Sequence, residues 1–443
     1  MAPRCRAGWR GVVVVGMLLA LAAGGLRAGR GHEWPQWRGP NRDGVWSESG
    51  LIERFAAPQI PVKWRVPVGS GYCGPTVAGG RVYVMDKIEG PPTQERIHCF
   101  DAETGRPLWQ HAYECSYAGI QYAAGPRASI TIDDGRAYAL GARGHLHCLD
   151  ATTGAVLWRR NCFDEYQIRL PLWGIAAAPL VDGERVIVQI GGSNGACLVA
   201  FDKRTGAERW RALDDRPSYS APILVQQAGQ PVLVCWTGDR VVGLDPATGR
   251  LHWEYPFPAR MVVIAIATPV VSGDRLFLTS FYEGSLMLRL RQDRLAVERI
   301  WQRAGQNERS TDALHSIIST PVFDGDFVYG VDSYGELRCL DARTGDRIWE
   351  DQTAVPRNRW ATIHFVRNGD RYWLFNDRGE LLIARLSPRG LEVISRAQLL
   401  KPTLAQLPDQ RRGGVCWSHP AFAYGHVFAR NDEELVCASL KAP

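Results

Sequence analysis

The sequence predicts an all-β chain: an eight-bladed β-propeller of four-stranded antiparallel blades, its last blade closed by the N-terminal strand. Three observations predict it. An Asp-x-x-Thr-Gly-x-x-x-Trp segment recurs along the chain. Short apolar runs around Gly-bearing turns precede most copies. No sustained helical periodicity separates the copies.

The repeat is the strongest of the three. Five full copies run Asp101, Gly105, Trp109; Asp150, Gly154, Trp158; Asp202, Gly206, Trp210; Asp245, Gly249, Trp253; and Asp341, Gly345, Trp349. Asp293 to Trp301 keeps the spacing without Thr-Gly. Asp suits a turn because its carboxylate accepts from backbone N–H groups two and three residues on. Gly supplies the positive φ of the turn. Trp offers a broad apolar face for a neighbouring repeat to cover. A unit with two apolar faces cannot bury both alone, so such repeats stack.

Each unit contributes four strands. Pro321 to Tyr329 reads as two strands about a Gly turn, Gly335 to Leu340 as a third, and the Trp segment as a fourth. The Trp series at 64, 109, 158, 210, 253, 301 and 349 is spaced about 47 residues apart. One further step falls near Ala397, in a degenerate turn. The final repeat, containing Pro420 to Phe428 and Glu434 to Leu440, ends before its Trp strand. Pro61 to Val66, with Trp64, supplies the missing strand and closes the eighth blade. A seven-bladed ring is the alternative if the degenerate unit is not a blade.

Composition sets the remaining bounds. The chain has 443 residues, 45% apolar and 22% charged, with 46 Gly and 16 Trp, which is globular and excludes wholesale disorder. The net charge of +6 is concentrated in the first thirty residues, where Arg4, Arg6, Arg10, Arg27 and Arg30 face no acid. The remainder is near neutral, against a nucleic-acid reading. Arg4 to Arg10 followed by the apolar run Gly11 to Ala23 reads as a signal peptide, residues 1–28, and hence an exported protein, periplasmic or extracellular. An uncleaved N-terminal anchor is the alternative. No Cys closely follows the run, which argues against lipidation, and no other stretch is long and apolar enough for a transmembrane domain. Residues 29–60 form an N-terminal extension that packs on the propeller, and residues 61–443 form the ring.

The repeated Asp-x-x-Thr-Gly-x-x-x-Trp motif resembles the tryptophan-docking repeat of the PQQ-like β-propeller superfamily, over roughly residues 61 to 443. The leader Trp34-Pro-Gln-Trp37-Arg-Gly-Pro40-Asn-Arg-Asp43-Gly44 looks like that of exported bacterial PQQ-like repeat proteins, and its two Trp are expected across the outer or bottom surface of the ring. The resemblance implies two classes: quinoprotein dehydrogenases holding PQQ and Ca²⁺ in the central funnel, and non-catalytic scaffolds that bind proteins. The dehydrogenases typically carry a vicinal Cys pair, absent here, and longer inter-blade loops. No Asp/Asn-rich loop offers calcium its several oxygen ligands. Asp164, Glu165, Asp214, Asp215, Glu308 and Asp312 read as solvated loop charges rather than catalytic bases. The expectation is therefore a monomeric scaffold without cofactor or metal, binding another envelope protein or a small ligand, with a PQQ oxidoreductase or a carbohydrate- or peptide-binding propeller as alternatives.

A ligand would meet the segments that enter the inner strands. Tyr72, Tyr122, Trp173, Tyr219, His315, Arg359, Trp360, Trp417 and His419 form the candidate rim, with Arg169 and Arg357 adding positive charge. These aromatics either bind planar groups or plug the channel. His315 and His419 lack a closely spaced second ligand and read as structural. Cys99, Cys148, Cys339 and Cys437 share one strand position and read as packing residues. Cys115 and Cys162, just beyond the Trp strands of adjacent blades, offer a disulfide; Cys73 and Cys416 are a second candidate pair.

Overall fold

The computed structural model describes residues 1–2, 32–407, 409 and 413–443. The expected signal segment lies almost wholly outside the described residues. The chain forms eight four-stranded antiparallel sheets arranged as a propeller. Blade one comprises β2 (Thr76–Ala78), β3 (Arg81–Ile88), β4 (Gln94–Asp101) and β5 (Pro107–Glu114). Blades two to seven follow as β6–β9 (131–161), β10–β13 (180–212), β14–β17 (223–256), β18–β21 (270–303), β22–β25 (322–351) and β26–β29 (363–398). Blade eight is β30–β32 (421–439) completed by β1 (Val62–Pro67), which pairs with β32. Among the described residues the one helix is the short α1 (Cys162–Glu165).

The repeat works across the seam between blades. Asp101 Oδ1 accepts from the backbone N–H groups of Glu103 and Thr104 and from the Thr104 hydroxyl. Gly105 follows at φ +73°, and a Cβ there would lie 2.7 Å from the Trp64 ring of the preceding blade. Glycine is thus required twice, for the turn and for the indole lying on it. Six of the seven docking Trp also donate their indole N–H forward: Trp64 to Ala102 O, Trp109 to Ala151 O, Trp158 to Lys203 O, Trp210 to Pro246 O, Trp301 to Ala342 O and Trp349 to Ser387 O.

The degenerate copies are explained by what each Trp has to dock on. Blade five lacks Thr-Gly, so Trp253 donates to Gln227 Oε1 at 2.8 Å, and Gln227 Nε2 relays to Ala296 O at 2.7 Å in that turn. In blade seven Ser395 stands in the Trp position, opposite Ile383. Its neighbour, blade eight, has no Asp-x-x-Thr-Gly turn, because its fourth strand arrives from the other end of the chain. The leader fills the seam instead. Ile52 N–H bonds to Leu440 O, Phe55 N–H to Ser395 Oγ and Ile60 N–H to Gln398 O. Phe55 packs edge-on against Trp373.

Opposite six of the seven docking Trp sits the recurrent Cys or another compact residue: Cys99 faces Trp109, Cys148 Trp158, Ala200 Trp210, Gly243 Trp253, Cys339 Trp349 and Cys437 Trp64, while Met287 faces Trp301. All ten described cysteines are buried free thiols. The Cys115–Cys162 disulfide is therefore not formed. Cys115 lies on the blade-one side, with its backbone bonded to Thr93, whereas Cys162 opens α1 and joins the core that includes Val186 and Phe201 of blade three. Cys73 and Cys416 are also unpaired; their thiols donate to Met85 O and Lys401 O.

Candidate functional site

The inner strands surround a central channel with two unlike ends. At the end where these strands finish, residues 33–60 form a strap. Trp34 pairs with Val77, Pro35 O accepts from Ile132, and Trp46 and Gly44 bond to Arg367. Trp34 is buried against Phe422, and Trp46 against Trp373 and Phe422. Trp37 departs from the expected surface position and enters the channel. Its ring stands edge-on to His419 at 4.5 Å, and its indole N–H donates to Thr268 Oγ1 at 2.8 Å. Beside it the buried Arg42 guanidinium donates to Ala178 O, Pro179 O, Pro222 O and Gln36 Oε1. Burial lowers its pKa to about 9. The strap thus floors the channel.

At the other end, the segments that enter the inner strands form an aromatic collar. Tyr122 is its centre, packing edge-on against Trp173 at 6.1 Å and Trp360 at 5.9 Å and tilted against Trp417 at 6.4 Å. Trp173 packs on Tyr219 in turn. Tyr122 and Trp360 both adopt positive φ, 52° and 72°. Bulky side chains rarely do so, and such strain persists only where surrounding contacts impose it. For Tyr122 the contact is Arg127, whose guanidinium donates to the carbonyls of Gln121, Tyr122 and Gly125 and lies 4.8 Å over the Tyr72 ring.

Between collar and floor lies a cavity of about 360 Å³. The aromatics therefore narrow the channel without filling it. Eight of the nine candidate rim residues line the cavity: Tyr72, Tyr122, Trp173, Tyr219, Arg359, Trp360, Trp417 and His419. His315 does not. Its Nδ1–H donates to Phe281 O, its Nε2 accepts from Gly305, and it is structural. Sequence reasoning missed Trp37, Arg127, Phe281 and Tyr282, and passed over the aliphatic patch of Val262, Ile264, Ile317 and Ile318. The aromatic strand-entry pattern could have pointed to Phe281 and Tyr282 only if the turn between the second and third strands of blade five had also been counted.

The chemistry of this wall is limited. No Asp, Glu or Asn lines the cavity. Its two imidazoles are held neutral by burial, His364 at about 4 and His419 at about 3. Both are engaged: His364 Nε2–H donates to Trp417 O, and His419 Nε2 accepts from the Ser129 hydroxyl. The six loop acids are occupied outside the cavity. Asp215 pairs with Arg240, Asp312 with Arg303, Glu308 with Arg359 and Glu165 with Arg160, while Asp164 accepts from the side-chain amide of Asn161, the α1 N-cap, and Asp214 accepts from Gly195. The wall residues do not fit a quinone–calcium pair, because calcium needs six to eight oxygen ligands. Among the described residues no group of three or more His, Cys, Asp or Glu is placed to hold a metal.

The family model described as "Outer membrane protein assembly factor BamB" matches residues 93–351, more than half of the chain. The chain belongs to the BamB family. It is 25% identical over 223 residues to the BamB of Yersinia pestis, covering 48% of this chain and 52% of that protein. To the BamB of Moranella endobia it is 24% identical over 230 residues, covering 50% of this chain and 54% of that protein. The chain spans about half the length of the curated relatives it matches. The crystal structure of BamB from Moraxella catarrhalis superposes with a TM-score of 0.59 at 17% identity, over 86% of this chain and 99% of that one. A europium-containing methanol dehydrogenase superposes with a TM-score of 0.68 at 14% identity, over 90% and 89%. At such identities these two likenesses show the fold alone. Among the described residues no helix is long and apolar enough to cross a membrane.

Proposed function

We propose that the chain is an exported, non-catalytic binding propeller of the cell envelope, acting as a monomeric scaffold for another protein and working without a bound cofactor. One observation carries the reading. The central cavity is lined chiefly by rings and aliphatic side chains, with Arg127, Arg359 and two neutral, hydrogen-bonded imidazoles among them and no carboxylate to act as a base. Such a wall binds rather than transforms. Membership of the BamB family supports the scaffold role and the envelope location. The alternative of a PQQ oxidoreductase loses its support in the same wall, which offers calcium no carboxylate.

Affinity capture of the tagged chain from its native envelope tests the reading. A partner is expected at near-stoichiometric yield, and recovery of nothing specific counts against a scaffold. In parallel, PQQ and Ca²⁺ are added to purified protein, and quinone absorbance and dye reduction are followed. A stoichiometric complex that reduces dye would overturn the proposal.

A further inference from the structure

The central cavity has a neighbour. An open notch of about 610 Å³ is lined by Glu308, Arg309, Tyr334, Arg357, Asn358 and Arg359. The cavity and the notch share one residue, Arg359, which lines both. The two differ sharply in character. The cavity is walled chiefly by aromatic and aliphatic side chains, with Arg127 and Arg359 among them. The notch carries three guanidinium groups against the single carboxylate of Glu308.

The arginines are differently committed. Arg359 Nη2 bonds to Glu308 at 2.6 Å, and its guanidinium lies 4.4 Å over Trp360. Its Nε–H is buried without a partner. Arg357 is 65% exposed and reaches Glu336 only at 3.5 Å. Arg309, also exposed, has Tyr334 Oη at 3.4 Å as its side-chain contact. Two more buried donors in the cavity wall lack partners, the indole N–H groups of Trp173 and Trp417. Unpaired buried donors are costly, and each would be relieved by an acceptor.

We propose that the collar and the notch together form a docking site for an extended peptide segment of the partner protein, one that places an aromatic side chain in the cavity and an acidic residue beside it on the arginines. The proposal rests on the binding reading and names the chemistry of its partner. Ring-on-ring packing suits the cavity wall. Guanidinium groups pair bidentately with carboxylates, and their excess disfavours a cationic occupant. The peptide carbonyls bring the acceptors that the wall donors lack. Two recesses that meet at one side chain suit an extended occupant better than a compact ring.

The test is fluorescence anisotropy with a dye-labelled probe, Gly-Asp-Trp-Asp-Gly, on the full chain at low salt. Saturable binding is expected. Exchanging the probe's Trp for Ala, or both Asp for Lys, should weaken it about tenfold or more, the scale of one lost anchor. The double variant Arg309→Glu with Arg357→Glu alters only exposed side chains, so its thermal midpoint should match the parent. It should bind the acidic probe about tenfold more weakly and prefer the lysine probe. Affinity indifferent to these changes, or no saturable binding at all, would overturn the proposal. So would free indole-3-acetate binding as tightly as the probe, because the occupant would then be a small aromatic acid. If a partner is captured from the envelope but the probe fails to displace it, this site is wrong and the scaffold reading stands.

Discussion

Gly243 on β16 (Arg240–Leu244) lies directly across from Trp253 on β17 (Leu251–Pro256). A Cβ at Gly243 would stand 2.2 Å from Trp253 Cε2 and 2.4 Å from Nε1. Carbon contacts settle near 3.5–4.0 Å, so in Gly243→Ala the indole must move by more than about an ångström. Cys99, Cys148, Cys339 and Cys437 face the docking Trp at this place in other blades, so the fold has room for such a shift. The shift breaks the bond to Gln227, whose amide is fully buried and relays to Ala296. Overpacking costs about 1–3 kcal/mol, and a stranded buried amide oxygen about the same. The lower entropy of the unfolded Ala chain returns about 0.4–1 kcal/mol. The expected loss is thus about 1–5.6 kcal/mol, read from denaturant midpoints and accompanied by altered tryptophan fluorescence. Trp253→Leu should cost much less in the Ala background than in the parent. A change within about 0.5 kcal/mol, the range of an ordinary surface substitution, would refute the relay reasoning.

Two further outcomes follow from the burial pattern. Burial holds His147 at about 3, His364 at about 4 and His419 at about 3, all below the ordinary 6.5. Between pH 6.5 and about 4 the unfolded chain takes up protons that the folded one refuses, so stability is flat above this window and falls as pH drops through it. Each imidazole contributes up to about 1.4 kcal/mol per pH unit, and His419→Asn should lower the slope by up to that amount in unfolding measured at pH 7.5, 6 and 5. An unchanged slope would clear His419 of that role. For the thiols, denaturing titration without reductant should count all ten described cysteines, whereas the native protein should react slowly because each is buried. A count of eight would restore a disulfide.

The ring was legible because its signal is local and repeated. Asp, Gly and Trp each answer a constraint within one turn and its neighbouring blade, so each copy reports the same geometry. The eight-blade count also held, because β1 carries the missing Trp64. What escaped is what depends on closure. Trp37 and Arg42 look like unremarkable leader residues until eight inner strands converge on them. The loss of Trp at Ser395 reads as decay, yet it follows from the missing turn in blade eight. The relay through Gln227 replaces a motif with an amide that no pattern flags. Eight of the nine rim residues fall on the cavity wall because aromatic side chains cluster before inner strands, but Arg127, which clamps Tyr122, sits among backbone carbonyls that sequence does not reveal. The Cys115–Cys162 reading failed because equal distance past the Trp strand does not place two side chains in one layer.

The strap also sets an order of events in synthesis. Strand β1 finds its partner β32 only when blade eight has been made, and the leader cannot seat on blades seven and eight before then. The strap and β1, made before every other strand described, are therefore among the last to be placed. Until that moment Trp34, Trp37 and Trp46 have no finished surface to cover, and the nascent ring keeps two open edges. Contacts this distant in sequence form slowly. The vulnerable species is thus the nearly closed ring, whose own strap and β1 are the piece it still awaits.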